Sequence, residues 1–513
     1  MNLNKIFSGI LFLLILGSCK MNPEHNPQPT FLNHTDIGEV KFPGTMSYER
    51  DQEIYTLRGS GTNMWFGSDE FHFAWKKMQG NLILNSQIEF KGEGTDPHRK
   101  AGLMIRKTLD PGSPYVSAAL HGDGLVSMQY RLDQDSSTLE FRANDYHLPV
   151  LQIIRHGDTV RVQAAAINKT LQNIEDLVFK FPEDEEFYVG LFVCSHNPDV
   201  TEEARFLNTR LSIPAKDDFI PYTDYIGARL EVYDFQTGLR KVIFKSTLPI
   251  EAPNWSKDGK YFIVNAGGFL YRIPITGADI EKINTGFATS NNNDHGISPD
   301  GSKLVISHHS QDLPPGKNSL IYTLPIEGGI PNQVTRKGPS YWHGWSPDGQ
   351  YLIYTAEREG QWGIWKIPAE GGEEEQLTAG NWLDDGSEFS GNGKHIWFNS
   401  NRSGTMEIWR MNTDGSQPVQ ITNDPYQNWF AHESPGGDLI VFLSYMPDVD
   451  AWDHPYYKQV MIRKLSLEQG LPTGEPEVIA YLYGGQGTMN VPNWSPDGTK
   501  IAFVSNTYFP ENE

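Results

Sequence analysis

Cysteine is nearly missing from this sequence: there are 2 in 513 residues, Cys19 and Cys194. Neither belongs to a CxxC pair, so zinc ribbons, zinc fingers and dithiol redox chemistry are excluded. Cys194 sits in the strand-like run FYVGLFVCSHN and reads as a small buried hydrophobe. Basic residues are also scarce, 42 Lys and Arg against 64 Asp and Glu, for a formal charge of −22. Such a surface repels phosphate backbones, so no nucleic-acid partner is expected. P-loop and dinucleotide fingerprints are missing, which removes the footing for nucleotide chemistry. No α/β pattern carrying G-x-S-x-G follows the repeats described below, so a serine peptidase is not supported. No apolar run reaches the roughly 20 residues of a membrane-spanning helix. What the chain has in plenty is glycine (49) and proline (33). With a length too great for one ordinary core, that predicts a turn-rich β protein of two or more domains.

The N-terminus carries a targeting segment. MNLNK bears one positive charge, IFSGILFLLIL is an apolar stretch of signal length, and LGSC follows. LGSC resembles the bacterial lipobox. That resemblance implies a signal peptide over 1–18, cleavage before Cys19 and lipidation of Cys19. Residues 19–38 then form a tether, and the only membrane contact is the lipid anchor. The implied location is the bacterial cell envelope, at the outer membrane on its periplasmic or surface face.

An internal repeat runs through the second half. The copies are NWSKDGKYFIV, GISPDGSKLVIS, GWSPDGQYLIYT, EFSGNGKHIWFN, HESPGGDLIVFL and NWSPDGTKIAFV. Their serines stand at 256, 298, 346, 390, 434 and 495, which are separated by 42, 48, 44, 44 and 61 residues. This is the period of a four-stranded propeller blade, with Asp-Gly and Gly-Gly supplying the turns. ARLEVYDFQTGLRKVIFKS (228–246) precedes the first copy as a hairpin without partners. The last strands are expected to complete that blade, closing a ring of six without free edges. The repeats resemble the TolB-like (PD40) β-propeller family over nearly all of 220–513, and the propeller is bounded at 218–513. Relatives of this type dock proteins, accompany peptidases without catalysing or, in oligogalacturonate lyases, cleave polysaccharides with a metal.

Residues 39–217 lack the repeat and alternate as strands do, in LILNSQIEF, KAGLMIRKT, VRVQAAAIN and FYVGLFV. They predict an antiparallel jelly-roll β-sandwich. WFGSDEFHFAW and KAGLMIRKTLDPGSPYVSAALHGDG resemble concanavalin-like domains of bacterial carbohydrate-active proteins. The resemblance implies glycan or partner binding through Trp65, Asp69, His72 and His121, or else a rigid spacer.

The residues ahead of the propeller turns carry the chemistry. The six positions offer Asn254, His295, His343, Glu388, His432 and Asn493, with Asn490 just upstream. His295 and His343 stand three before their serines, and Glu388 and His432 two before theirs. A one-residue slip would flip a side chain to the opposite face. Gly296 and Gly344 follow the early histidines and could form bulges that turn them back. His295, His343, His432 and Glu388, with Gln486 as an alternative to Glu388, would then suit a divalent Mn, Zn or Ca ion. The likeness to the lyases implies the same three histidines as ligands.

Around them the expected catalytic residues are His308, Arg402, Asp294, Asp385 and Tyr341. The expected substrate contacts are Trp342, Trp429, Asn490 and Arg358. A lyase would neutralise a uronate with the metal and Arg402 or Arg358 while a His or Tyr takes the proton. A glycoside hydrolase would use two of Asp294, Asp385 and Glu388. The expected function is thus a lipid-anchored protein acting on a glycan. The alternative is a non-catalytic propeller that binds a glycan or protein partner.

Overall fold

The computed structural model describes residues 28–180, 185–221 and 223–509. The expected signal peptide, Cys19 and the first part of the tether lie outside these residues; the last part is no tether, because Phe31 is buried in the core and Asn33–Ile37 pairs as a strand with Phe71–Met78. Among the described residues every regular element is a strand, as expected for an all-β chain. They form two compact units, residues 28–214 with 239–241, and residues 215–238 with 242 onward.

The N-terminal unit holds two seven-stranded antiparallel sheets. Strand alternation sends Leu103 and Ile105 to a core shared with Leu84, Val116, Met128, Leu151 and Val162. The intervening residues Lys100, Met104 and Arg106 occupy the other face, which is buried too. There Asp69 lies between Arg131 (2.7 Å) and Arg106 (3.6 Å). Cys194 is buried in a small cluster on that face, and burial pushes its thiol up to about 11. His72 hydrogen-bonds Asp36 at 2.7 Å and His34 at 3.1 Å, His121 approaches Gln129 at 3.3 Å, and Trp65 is half-buried. Three of the four expected contact residues of this unit are therefore engaged inside it.

The second unit is a six-bladed β-propeller. Blades one to five begin with the strands Ile250–Trp255, Asn291–Ile297, Ser340–Trp345, Asp384–Phe389 and Gln427–Glu433. Each then meanders outward through antiparallel neighbours. Blade six pairs Lys500–Thr507 with Gly227–Asp234, in register from Gly227 opposite Thr507 to Asp234 opposite Lys500. The ring is closed by strands from both ends of the propeller sequence. Each turn is locked by its serine. Ser346 Oγ donates to Asp348 at 2.5 Å and accepts the Tyr351 N–H at 2.9 Å. Ser298, Ser256 and Ser495 repeat the pattern with Asp300, Asp258 and Asp497. The fourth turn residue adopts positive φ, as at Gly349 (72°), which favours glycine.

Candidate functional site

In a propeller the first strand of each blade lines the central channel. Here these strands run toward the serine turns. Residues four or five before the serine therefore stand near one end, the mouth, and residues two before it stand deeper. Each of the five strands also breaks register once. The breaks fall between Glu251 and Asn254, Asn291 and His295, Trp342 and Gly344, Asp385 and Glu388, and Trp429 and His432. These bulges re-aim single side chains. His343 is itself the extra residue of its bulge.

At the mouth Asp385 is central. Its Oδ1 accepts from His343 Nε2 at 2.9 Å and from the Gly386 N–H at 2.8 Å. His454 Nε2 lies 3.7 Å from its Oδ2. Burial works to raise the Asp385 carboxyl, but the neighbouring His343 charge wins and holds it down at about 2. Burial likewise opposes charging His343; Asp385, Asp294 and the Asn490 backbone outweigh it and raise the ring above its usual value. Asp294 is pushed up to about 6, chiefly by burial and further by Asp385, with His343 partly offsetting. Asn292 Nδ2 donates to it at 2.7 Å. Glu251 is pushed up to about 7 by burial, with Asp294 adding and a hydrogen bond from Tyr456 partly offsetting. Asn490 closes the edge, accepting the Gly487 N–H at 2.9 Å and donating to Gln486 at 3.0 Å.

The channel thus holds three carboxyls whose proton affinities are driven apart. Such a spread is how one site keeps an acid and a base together.

Deeper, His432 spans two blades. Its Nδ1 meets Glu388 Oε2 at 2.5 Å and its Nε2 meets the Met489 carbonyl at 2.7 Å. The ring thereby ties the Glu388 carboxyl to the Met489 carbonyl.

The structure separates most other expected residues from this cluster. His295 is fully buried, and its Nε2 bonds the Ile263 carbonyl of blade one at 3.1 Å; it does not face the channel. Gly296 is no bulge device, since it makes room for the ring of Trp342, which a Cβ there would meet at 2.0 Å. Trp342 and Trp429 are buried between strands and offer no face to a sugar. Both are core, because large aromatics fill the wedge between blades. His308 accepts the Ser290 N–H at 3.3 Å and packs on Tyr322. Arg402 is bound at both oxygens of Asp384 (2.8 and 2.9 Å), and Arg358 is bound by Glu374 at 2.8 Å. Tyr341 stacks on Trp362 in blade three.

The expected metal set is likewise divided. His343 serves Asp385, His432 serves Glu388, and His295 serves a carbonyl. Among the described residues no group of three or more His, Cys, Asp or Glu could hold a metal ion together. These side chains do not fit a shared divalent ion.

Glu251, His454 and Tyr456 escaped the sequence reading. Glu251 has the same offset before Ser256 that Asp385 has before Ser390, a signal that was available. His454 and Tyr456 belong to a loop outside the repeat. Its length against the Gly267-Gly268 link of blade one is the only sign of it.

The TolB beta propeller domain model (PD40) matches residues 317–449. An uncharacterised protein of Agrobacterium fabrum is 45% identical over 282 residues, which is 55% of this chain and 92% of that protein. A solved structure of a candidate TolB from Agrobacterium tumefaciens is 44% identical. It covers 56% of this chain and all of its own, with a TM-score of 0.52. An oligogalacturonate lyase solved with manganese is 12% identical, covers 59% of this chain and 80% of its own, and has a TM-score of 0.35. That likeness is too slight to bear on chemistry.

Proposed function

Because this chain belongs to the TolB-like β-propeller family, we propose that it works at its channel mouth, and that it acts there on a glycan at the bacterial cell envelope. The observation that carries this reading is the gathering of three carboxyls, Asp385, Asp294 and Glu251, at one mouth, with His343 bound to Asp385 at 2.9 Å and His454 3.7 Å from it. Burial raises both Glu251 and Asp294, while the neighbouring His343 holds Asp385 down, so carboxyls of unlike proton affinity share this mouth. Glu251 then serves as the proton donor to a glycosidic oxygen, and Asp294 as the base that takes a proton from water. The Asp385–His343 ion pair holds fixed charge beside them. Elimination from a uronate needs a free positive group against the substrate carboxylate. Arg402 and Arg358 are both committed to carboxylates of the protein. Hydrolysis is therefore the form of glycan chemistry proposed for this mouth.

The test is release of reducing ends from neutral and acidic oligosaccharides by the full chain, followed against pH. A bell-shaped profile with limbs near 6 and 7, lost in Asp294→Asn and Glu251→Gln, supports the reading. Silence across the panel sinks it. A second reading, a propeller that binds a glycan or protein without turning it over, draws on the internal pairing of His432 with Glu388 and of Arg402 with Asp384. Binding without turnover would select it. On either reading Cys19 carries the lipid anchor and the N-terminal sheets, taken as a concanavalin-like sandwich, serve as a spacer. Loss of the lipid mass in Cys19→Ser checks the anchor.

A further inference from the structure

Blade five joins its strands Leu439–Tyr445 and Lys458–Glu468 through residues 446–457, the longest link of its kind in blades one to five. The end of this loop is pinned. The Pro455 carbonyl accepts from Tyr445 Oη and from the Gln486 N–H, each at 3.2 Å. It also lies against Gly485, where a Cβ would stand 2.1 Å from it. The residues on either side of Pro455 reach the mouth. Tyr456 hydrogen-bonds the Glu251 carboxyl. His454 packs edge-on against Trp429 (4.5 Å) and Phe430 (5.4 Å). Its Nδ1 is buried without a hydrogen-bond partner, so Nε2 is the working nitrogen of the ring.

His454 Nε2 stands 3.7 Å from Asp385 Oδ2, beyond hydrogen-bond length. Asp385 Oδ1 is already taken by His343 and Gly386. The two atoms therefore lie side by side, one an N–H donor and the other an anionic acceptor, and a single oxygen beside them reaches both. A hydroxyl matches this pair, because it donates and accepts through one atom. A carboxylate ligand would meet Asp385 and Asp294 as like charges, and an ammonium has no acceptor for the imidazole N–H.

We propose that Asp385 Oδ2 and His454 Nε2 clamp one hydroxyl of a neutral saccharide, held in place by the pinned loop 446–457. The same loop carries Trp452, which is exposed. This rests on the glycan reading above and narrows it to uncharged sugars.

The experiment is calorimetric binding of the full chain to hexasaccharides of glucose, N-acetylglucosamine, mannose and galacturonate. His454→Phe keeps the ring packing on Trp429 while removing the N–H. The best neutral ligand should lose about tenfold or more in affinity in His454→Phe at unchanged melting temperature. In a series of monodeoxy analogues one should lose as much on the wild type and nothing further on the variant. A merely structural His454 would not give that non-additivity. Full affinity in His454→Phe, additive losses, or tighter binding of galacturonate would overturn the clamp while leaving a glycan site standing. Binding without cleavage, with the clamp signature intact, would remove the hydrolytic step alone. Absence of saccharide binding by the wild type removes both.

Discussion

The N-terminal unit and the propeller both bury carboxylates, and they treat the charge in opposite ways. Asp69 receives Arg131 at 2.7 Å with Arg106 close by, and Glu202 receives Arg99 at 2.6 Å. In the propeller mouth the neighbours acting on Glu251 and Asp294 are imidazole, phenol, amide and other carboxyl groups, not arginine, and burial drives both carboxyls upward. A buried charge left without a close counter-ion shifts its proton affinity instead of staying charged. The first arrangement fixes a fold. The second leaves carboxyls that burial pushes toward their protonated form. Asp385 stands between the two cases: His343 pairs it as an arginine would, but through a ring that titrates.

The largest effect should come from breaking the paired case. Arg131→Met leaves Asp69 buried with most of its compensation gone and should cost about 3–5 kcal/mol in denaturant unfolding. A loss under about 1 kcal/mol would show that the pair is not structural. The mouth should answer with the opposite sign. Asp294 moves from 3.8 to about 6 on folding and Glu251 from 4.5 to about 7. A carboxyl that is raised in the fold binds its proton more tightly there, so its contribution is present at low pH and is lost as pH rises through the folded value. That contribution should fall between about pH 4 and 7, by up to roughly 3 kcal/mol per group. The buried histidines His121, His295 and His308, which burial lowers to about 3, 4 and 4, run the opposite way over the same window, so the carboxyl contribution is read from the difference between variant and wild type. Asp294→Asn and Glu251→Gln should flatten that fall and be more stable than wild type above pH 7. Turnover, where it is found, should drop by about 10²–10⁴. Parallel stability curves for variant and wild type would erase the contrast between the two regions.

The propeller was legible because its turns repeat one physical solution. Every blade needs a serine to bridge a turn, a carboxylate or amide to receive it and a glycine at positive φ, so variants of WSPDG recur where the first strand of a blade turns into the second. Blade six was legible from an unpartnered hairpin. The site was legible only in part. Asp294, His343 and Asp385 were found because they precede the turns. His295 was misread because sequence offset cannot show where a bulge falls, and a shift of one residue sends its ring to the Ile263 carbonyl. Trp342 and Trp429 were misread because an aromatic that fills a wedge and one that stacks on a sugar have the same letters. His454 and Tyr456 were invisible because they act from a loop whose course is fixed by tertiary contacts at Pro455 and Gly485.

The histidine-glycine pairs give a finer test of where structure ends and site begins. Gly296 faces the Trp342 ring, and an added Cβ would stand 2.0 Å from it. Gly296→Ala should cost about 2 kcal/mol by overpacking, with the pH limbs of any activity unmoved. Gly344 has Ile353 Cγ1 and the Ser387 carbonyl 3.1 Å from the same position, beside the Asp385 bulge. Gly344→Ala should cost less in stability yet shift the limbs, because it presses on the strand that carries Asp385. Reversal of the two would place the boundary elsewhere.

The smallest effect belongs to the turns. Ser346→Ala removes the bridge to Asp348 and the acceptor for the Tyr351 N–H. It should cost about 1 kcal/mol in unfolding. The turn lies at the far end of the first strand from the mouth, and it holds backbone and no titrating group of the site. The pH dependence of both stability and turnover should therefore match wild type. Should Ser346→Ala move either limb, the serine turns would be part of the proton-handling machinery, and the mouth could no longer be treated as a tuned cluster set into an indifferent scaffold.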